Sequence, residues 1–140
     1  FLTFVFAQVR NGEVLVVFDV DNFKQVNDRY GHVKGDICLA EIAACIKRAY
    51  ARHGYCYRTG GDEFCVLLRD GDKEHACARD FVRRLSERRK ELDFLPTVSF
   101  GSAEISNENV VTVKDRADHN MYRYKKERKA HRMSGDAGEE

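Results

Sequence analysis

Three carboxylates stand where packing does not explain them. Asp19 stands near the end of the apolar run "VLVVFDVD", while Asp62 and Glu63 directly follow Gly60 and Gly61 in "RTGGDEFCVLL", at the start of a segment rich in strand formers where acids are normally depleted. If the two segments are neighbouring strands, the three acids share one edge of a sheet, where uncompensated carboxylates repel and each tends to keep its proton. A divalent cation removes the conflict. Hard oxygen ligands suit Mg2+, which takes one or two protein carboxylates and completes its shell with waters and phosphate oxygens. Lys24 lies five residues beyond Asp19, and the densest basic cluster, including Lys125, Lys126, Arg128 and Lys129, comes near the end of the chain. A cation with lysines is how proteins hold a triphosphate and neutralise the charge that shifts during its reaction. Favourable placement at a helix C-terminus accounts equally well for any single lysine of that cluster. Asn27 and Asp36 supply an amide and a carboxylate able to read a purine edge, and only guanine offers N1 and N2 donors to a carboxylate.

Other chemistries lack their residues. No G-x-x-x-x-G-K-[ST] loop occurs, and no Ser-His-Asp or Cys-His arrangement is signalled; His32, in "YGH", is the histidine near the acids. The five cysteines are odd in number and show no C-x-x-C spacing, which argues against a disulfide framework or a zinc site and for buried thiols in a reducing cytoplasm. With 140 residues the chain suits one domain, and 43% hydrophobic against 34% charged residues is a globular mixture. A net charge of +1 names no partner, and no basic face interleaved with exposed aromatics suggests nucleic acid. The longest apolar stretches fall well short of the roughly 20 residues of a membrane helix. No signal peptide is readable at the start.

The acids need a sheet edge, and the patterning supplies one. Val14 to Asp21 reads as a central strand buried on both faces. A short helix over "NFKQVNDRY" and a loop at Gly31 follow, then a long helix from Asp36 to near Gly54, with Asp36 as cap or first-turn acid and Leu39, Ile42, Ala43, Ile46, Ala49 and Tyr50 at helical spacing. Tyr55 to Arg58 and Glu63 to Arg69 form a hairpin, its Gly-Gly suited to a tight turn with positive φ. A second long helix carries Ala78, Phe81, Val82, Leu85 and Leu92 inward. "TVSFGSAEI" is a further strand whose glycine marks a bulge or a close approach. A last helix runs from about Thr112 to about Lys129, with Val113, Ala117, Met121 and Tyr124 inward, and residues 134–140 form a polar tail. The order β-α-α-β-β-α-β-α predicts a single α/β (α+β) domain over residues 1–133, with a mixed, largely antiparallel central sheet flanked by helices, of ferredoxin-like or palm type.

The segments "DVDNFKQVNDRYGHVKGD" and "RTGGDEF", at this spacing, together with "TVSFG" and "ADHNMYRYKK", resemble the GGDEF diguanylate cyclase domain, whose fold is similar to that of nucleotide cyclases and polymerase palms. The resemblance covers about Val14 to about Lys129. It implies that two GTP molecules, one on each of two facing domains in a homodimer, condense to cyclic di-GMP with release of pyrophosphate, with Mg2+ or Mn2+ as cofactor. Position by position, it implies that Asp19 and Asp62 are metal ligands assisted by the Val20 carbonyl. Glu63 would help bind metal or deprotonate the ribose 3′-hydroxyl, a role open to Asp62 as well. Lys24 and Lys125 would hold phosphates, Asn27 and Asp36 read guanine, and His32 make a further substrate contact. Gly60 and Gly61 would let backbone approach the phosphates for want of a Cβ. It also implies a cytoplasmic output domain under an upstream sensory or regulatory domain, with no membrane contact of its own. An inactive GGDEF domain that binds GTP or a partner protein as a regulator is the alternative.

Three departures from the family pattern carry expectations of their own. The product-inhibition motif Arg-x-x-Asp falls on Ala51 and Gly54, so tight product binding there is not expected. Gly-Arg-Asn of the late motif becomes Arg128, Lys129 and Ala130, making the second phosphate contact the point charge of Lys129 in place of a forked guanidinium. The leading helix and its Asp-x-Leu-Thr-Gly-Leu turn are missing, and "FLTFVFAQV" matches only the end of that helix.

Overall fold

The apolar run Val14–Val20 forms β1 in the computed structural model, which describes residues 10–131. Alternate residues of a strand point to opposite faces, and both faces of β1 are covered. Val14, Val16, Phe18 and Val20 face one core, and Leu15 and Val17 the other. The helices α1 (Phe23–Tyr30) and α2 (His32–Tyr50) follow, then the strands β2 (Gly54–Arg58) and β3 (Glu63–Leu68). A 3-10 turn at Gly71–Lys73 leads into α3 (Glu74–Glu91), and β4 (Val98–Glu104) and α4 (Val110–His131) complete the order.

The sheet has the order β2-β3-β1-β4. Sequence alone suggests a mixed sheet, because helices join β1 to β2 and β3 to β4. The structure corrects this detail: each crossover steps over one strand and an antiparallel neighbour fills the gap, so every ladder among the described strands is antiparallel. This is the split βαβ arrangement of ferredoxin-like folds.

The first core lies between the sheet and α2 with α3. Phe18 is its centre, edge-on to Tyr50 at 5.5 Å and to Phe81 at 5.2 Å. Such aromatic pairs add about 0.5–1.5 kcal/mol beyond their buried area. The second core lies under α4, where Val113 and Ala117 pack on Leu15, Val17, Cys65 and Leu67. Gly101 is the close approach that the sequence allows: a Cβ there would sit 2.2 Å from the Met121 nitrogen, so α4 rests on bare β4 backbone.

Several element details differ from the sequence reading. Gly31, at φ +90°, breaks the chain so sharply that α2 starts at His32, leaving Asp36 as an exposed second-turn residue and not a cap. Val82 is 45% exposed, since the inward stripe of α3 is Cys77, Phe81 and Leu85. Tyr124 is 39% exposed and lies at the rim, 5.6 Å from the Phe100 ring. At the start of α4 the Asn109 side chain accepts from the Val111 N–H at 2.8 Å, which begins the helix at Val110. The cysteines are free, four buried and Cys56 half-buried. The ends of the expected domain, including the stretch matched to a leading helix and the polar tail, lie outside the described residues.

Candidate active site

Register places two of the three acids face to face. Asp19, the sixth residue of β1, is directly opposite Glu63, the first of β3. Alternation puts Asp19 on the same side as Leu15 and Val17, and Glu63 on the same side as Cys65 and Leu67, so both carboxylates leave the sheet on the α4 side. Directly opposed side chains have Cβ atoms about 4.5–5.5 Å apart. The ladder continues one step further, with the Val20 N–H donating to the Asp62 carbonyl at 3.1 Å, which brings the third acid and the Val20 backbone to the same edge.

The turn that carries Asp62 is built differently from the expected positive-φ Gly-Gly. Neither Gly60 nor Gly61 has positive φ. Residues 59–62 form a four-residue loop closed by the Thr59 N–H donating to the Glu63 carbonyl at 3.0 Å. Arg58 braces it from one side: its Nε donates to the Gly60 carbonyl at 3.0 Å and its Nη2 to the Gly61 carbonyl at 2.6 Å. A Cβ on Gly61 would meet nothing within 4 Å, so the open side of the loop faces space.

α4 brings the positive charge. The Lys125 ammonium is 3.5 Å from Asp19 Oδ2 and 3.5 Å from Asp21 Oδ1. Asp21 is buried, and its two carboxylate oxygens accept from the Thr97 and Ser99 hydroxyls, each at 2.7 Å. Burial pushes the Asp19 carboxyl above its ordinary range, the nearby Asp62 and Asp21 push the same way, and Lys125 opposes them. Among the described residues no three His, Cys, Asp or Glu side chains converge as a protein-only cage for a metal. Two facing carboxylates at a crowded acidic edge nevertheless fit an ion that keeps waters and takes its remaining ligands from a substrate phosphate.

The base-reading candidates lie on the other side of the hairpin. Asp36 lines a cavity of about 400 Å³ with Leu39, Ala40, Ala43, Arg58 and Phe64. Asn27 is lodged against α2 at Gly35, where a Cβ would come within 1.9 Å of its Oδ1, and that buried oxygen has no hydrogen-bond partner among the described residues. Lys24 is exposed on α1 and His32 exposed at the start of α2. The side chain of Lys129 lies outside the described residues. The structure therefore brings Asp19, Val20, Asp62, Glu63 and Lys125 together, with Asn27 and Asp36 on neighbouring α1 and α2. Sequence reasoning passed over Asp21 and Arg58, although "DVD" puts Asp21 on the same strand face as Asp19 and Arg58 opens the quoted "RTGGDEF".

A family model described as the GGDEF domain of diguanylate cyclases matches residues 4–131. Diguanylate cyclase DgcN of Escherichia coli K12 is 32% identical over 134 residues, 87% of this chain and 32% of that protein. Diguanylate cyclase A of Treponema denticola is 30% identical over 118 residues, 79% of this chain and again 32% of the relative, so the chain spans about a third of each. Among solved structures, the active GGEEF domain of a Vibrio cholerae diguanylate cyclase superposes with a TM-score of 0.71 at 26% identity, covering 82% of this chain and 77% of that one. The GGDEF domain of DgcB from Caulobacter crescentus, solved in complex with c-di-GMP, gives 0.69 at 30% identity, covering 88% and 73%. The family model spans nearly the whole chain and the relatives share its motif-bearing segments, so the chain belongs to the GGDEF diguanylate cyclase domain family.

Proposed function

We propose that this domain is a working diguanylate cyclase, and the observation that carries the reading is the opposed Asp19–Glu63 pair with Lys125 beside it. Two GTP molecules, each held by one of two facing domains, exchange bonds: each ribose 3′-oxygen joins the α-phosphorus of the other, and two pyrophosphates leave. Asp19, the Val20 carbonyl and the Asp62–Glu63 pair would hold Mg2+ or Mn2+, which when bound neutralises triphosphate charge. Glu63, with Asp62 beside it, accepts the proton of the 3′-hydroxyl. Lys24, Lys125 and Lys129 meet the phosphates, and the open side of the Gly60–Gly61 loop leaves room for their approach. Asp36 and Asn27 read guanine, and His32, exposed at the start of α2, makes a further substrate contact.

Because one domain holds half of the reacting atoms, turnover depends on pairing. No described helix is long and apolar enough to cross a membrane. The proposed reaction draws on the GTP of the cytoplasm, and the domain would act there under a sensory or regulatory domain of a longer protein. The test is product formation from GTP and Mg2+, identified by mass, over a range of protein concentrations. Cyclic di-GMP with a specific rate that rises with concentration is expected, and Glu63→Gln is expected to lower it at least about 100-fold with an unchanged melting midpoint. Mg2+-dependent GTP binding without turnover at any concentration would identify the domain as a regulatory module instead.

A further inference from the structure

In the free domain Lys125 is a monovalent cation seated where Asp19 would meet a divalent one. Its two carboxylate partners are unequal. Asp21 is 5% exposed, is held by the Thr97 and Ser99 hydroxyls, and donates its own backbone N–H to the Thr97 carbonyl at 3.0 Å, so it cannot turn outward. Asp19 has a side chain 27% exposed and stands at the open edge opposite Glu63. Both lie two residues apart on the strand face that looks toward α4.

We propose that Lys125 is a resident counter-cation that competes with the divalent ion for Asp19. The proposal rests on the reading of Asp19 as a cation ligand. Two cations cannot both engage one carboxylate at full strength, so the ammonium weakens metal binding until phosphate oxygens give it another partner. Nucleotide and metal then favour one another, and by linkage the coupling runs equally in both directions.

The test is a nucleotide-free titration with Mn2+, read by electron paramagnetic resonance of the free ion, on the wild-type chain, Lys125→Gln, Lys125→Arg and Arg123→Gln. Arg123 is on the same helix, its side chain 63% exposed and its contact with Glu127 a loose 3.9 Å, so its variant removes one positive charge away from the acids. Lys125→Gln is expected to bind Mn2+ about two- to fivefold more tightly, the scale of one partly exposed ion pair. Lys125→Arg and Arg123→Gln are expected to match wild type, and Lys125→Met reports the same quantity if the glutamine variant unfolds. The proposal is overturned if Lys125→Gln gains nothing, including the case where neither protein binds Mn2+, or if Arg123→Gln gains as much. The titration involves no turnover, which separates the two readings. A gain in a chain that makes no cyclic di-GMP keeps the competition and removes the cyclase; an active chain without the gain does the reverse.

Discussion

Asp19 is the residue at which stability and the proposed chemistry pull in opposite directions. Burial holds its carboxyl above the ordinary value of 3.8, which means that the folded chain binds this proton more tightly than the unfolded one does. Its contribution to stability is therefore complete below pH 3.8 and is lost as the pH rises through the raised value, so at neutral pH the bare charge works against the fold. Asp19→Asn is expected to raise the melting midpoint in chelator at pH 7. The gain should shrink as the pH is lowered toward 4, and a variant less stable than wild type at pH 7 would contradict this account. Asp19, Asp62 and Glu63 were legible in the sequence because acids beside strand-forming residues are anomalous. What holds Asp21 was not, because its hydroxyl partners are 76 and 78 residues away and only the β1–β4 register brings them beside it.

Elements position these residues through a few close backbone approaches, and two of them can be tested. Gly101→Ala would drive a methyl group into the α4 backbone at Met121, where a helix cannot yield as a side-chain tip can. A loss of about 1–3 kcal/mol or more is expected by chemical denaturation, together with weaker binding of the proposed substrate GTP, because the same helix carries Lys125. Unchanged stability would show that α4 is free to lift. Gly54 is the second case: a Cβ there would lie 2.3 Å from the Leu67 carbonyl oxygen. The nearby cavity of about 390 Å³ is flanked by groups already engaged, His53 with Asp70 at 3.0 Å and the Arg69 guanidinium 4.5 Å above the Tyr55 ring. Restoring the family's inhibitory motif with Ala51→Arg and Gly54→Asp is therefore expected to destabilise the domain without creating tight cyclic di-GMP binding, and calorimetric titration of the double variant decides it. Periodicity revealed the elements themselves. It misplaced the start of α2, which Gly31 sets by backbone geometry, and it turned Val82 inward although that residue is one step around the helix from the Phe81 stripe.

For the molecule as a whole, the patterning carried the layers and the one-domain reading, because a strand apolar on both faces requires helices above and below it. Strand direction was harder to read, since crossover helices record which strands share a direction but not which become neighbours. The loop of residues 59–62 with Glu63 at its base lies outside both cores, held by Arg58 and by backbone bonds to Val20 and within itself. Heredity can thus alter the chemistry of this chain without touching its architecture. Substitutions in that loop escape the selection that folding imposes, so the same fold can persist intact through lineages that differ in what the loop does.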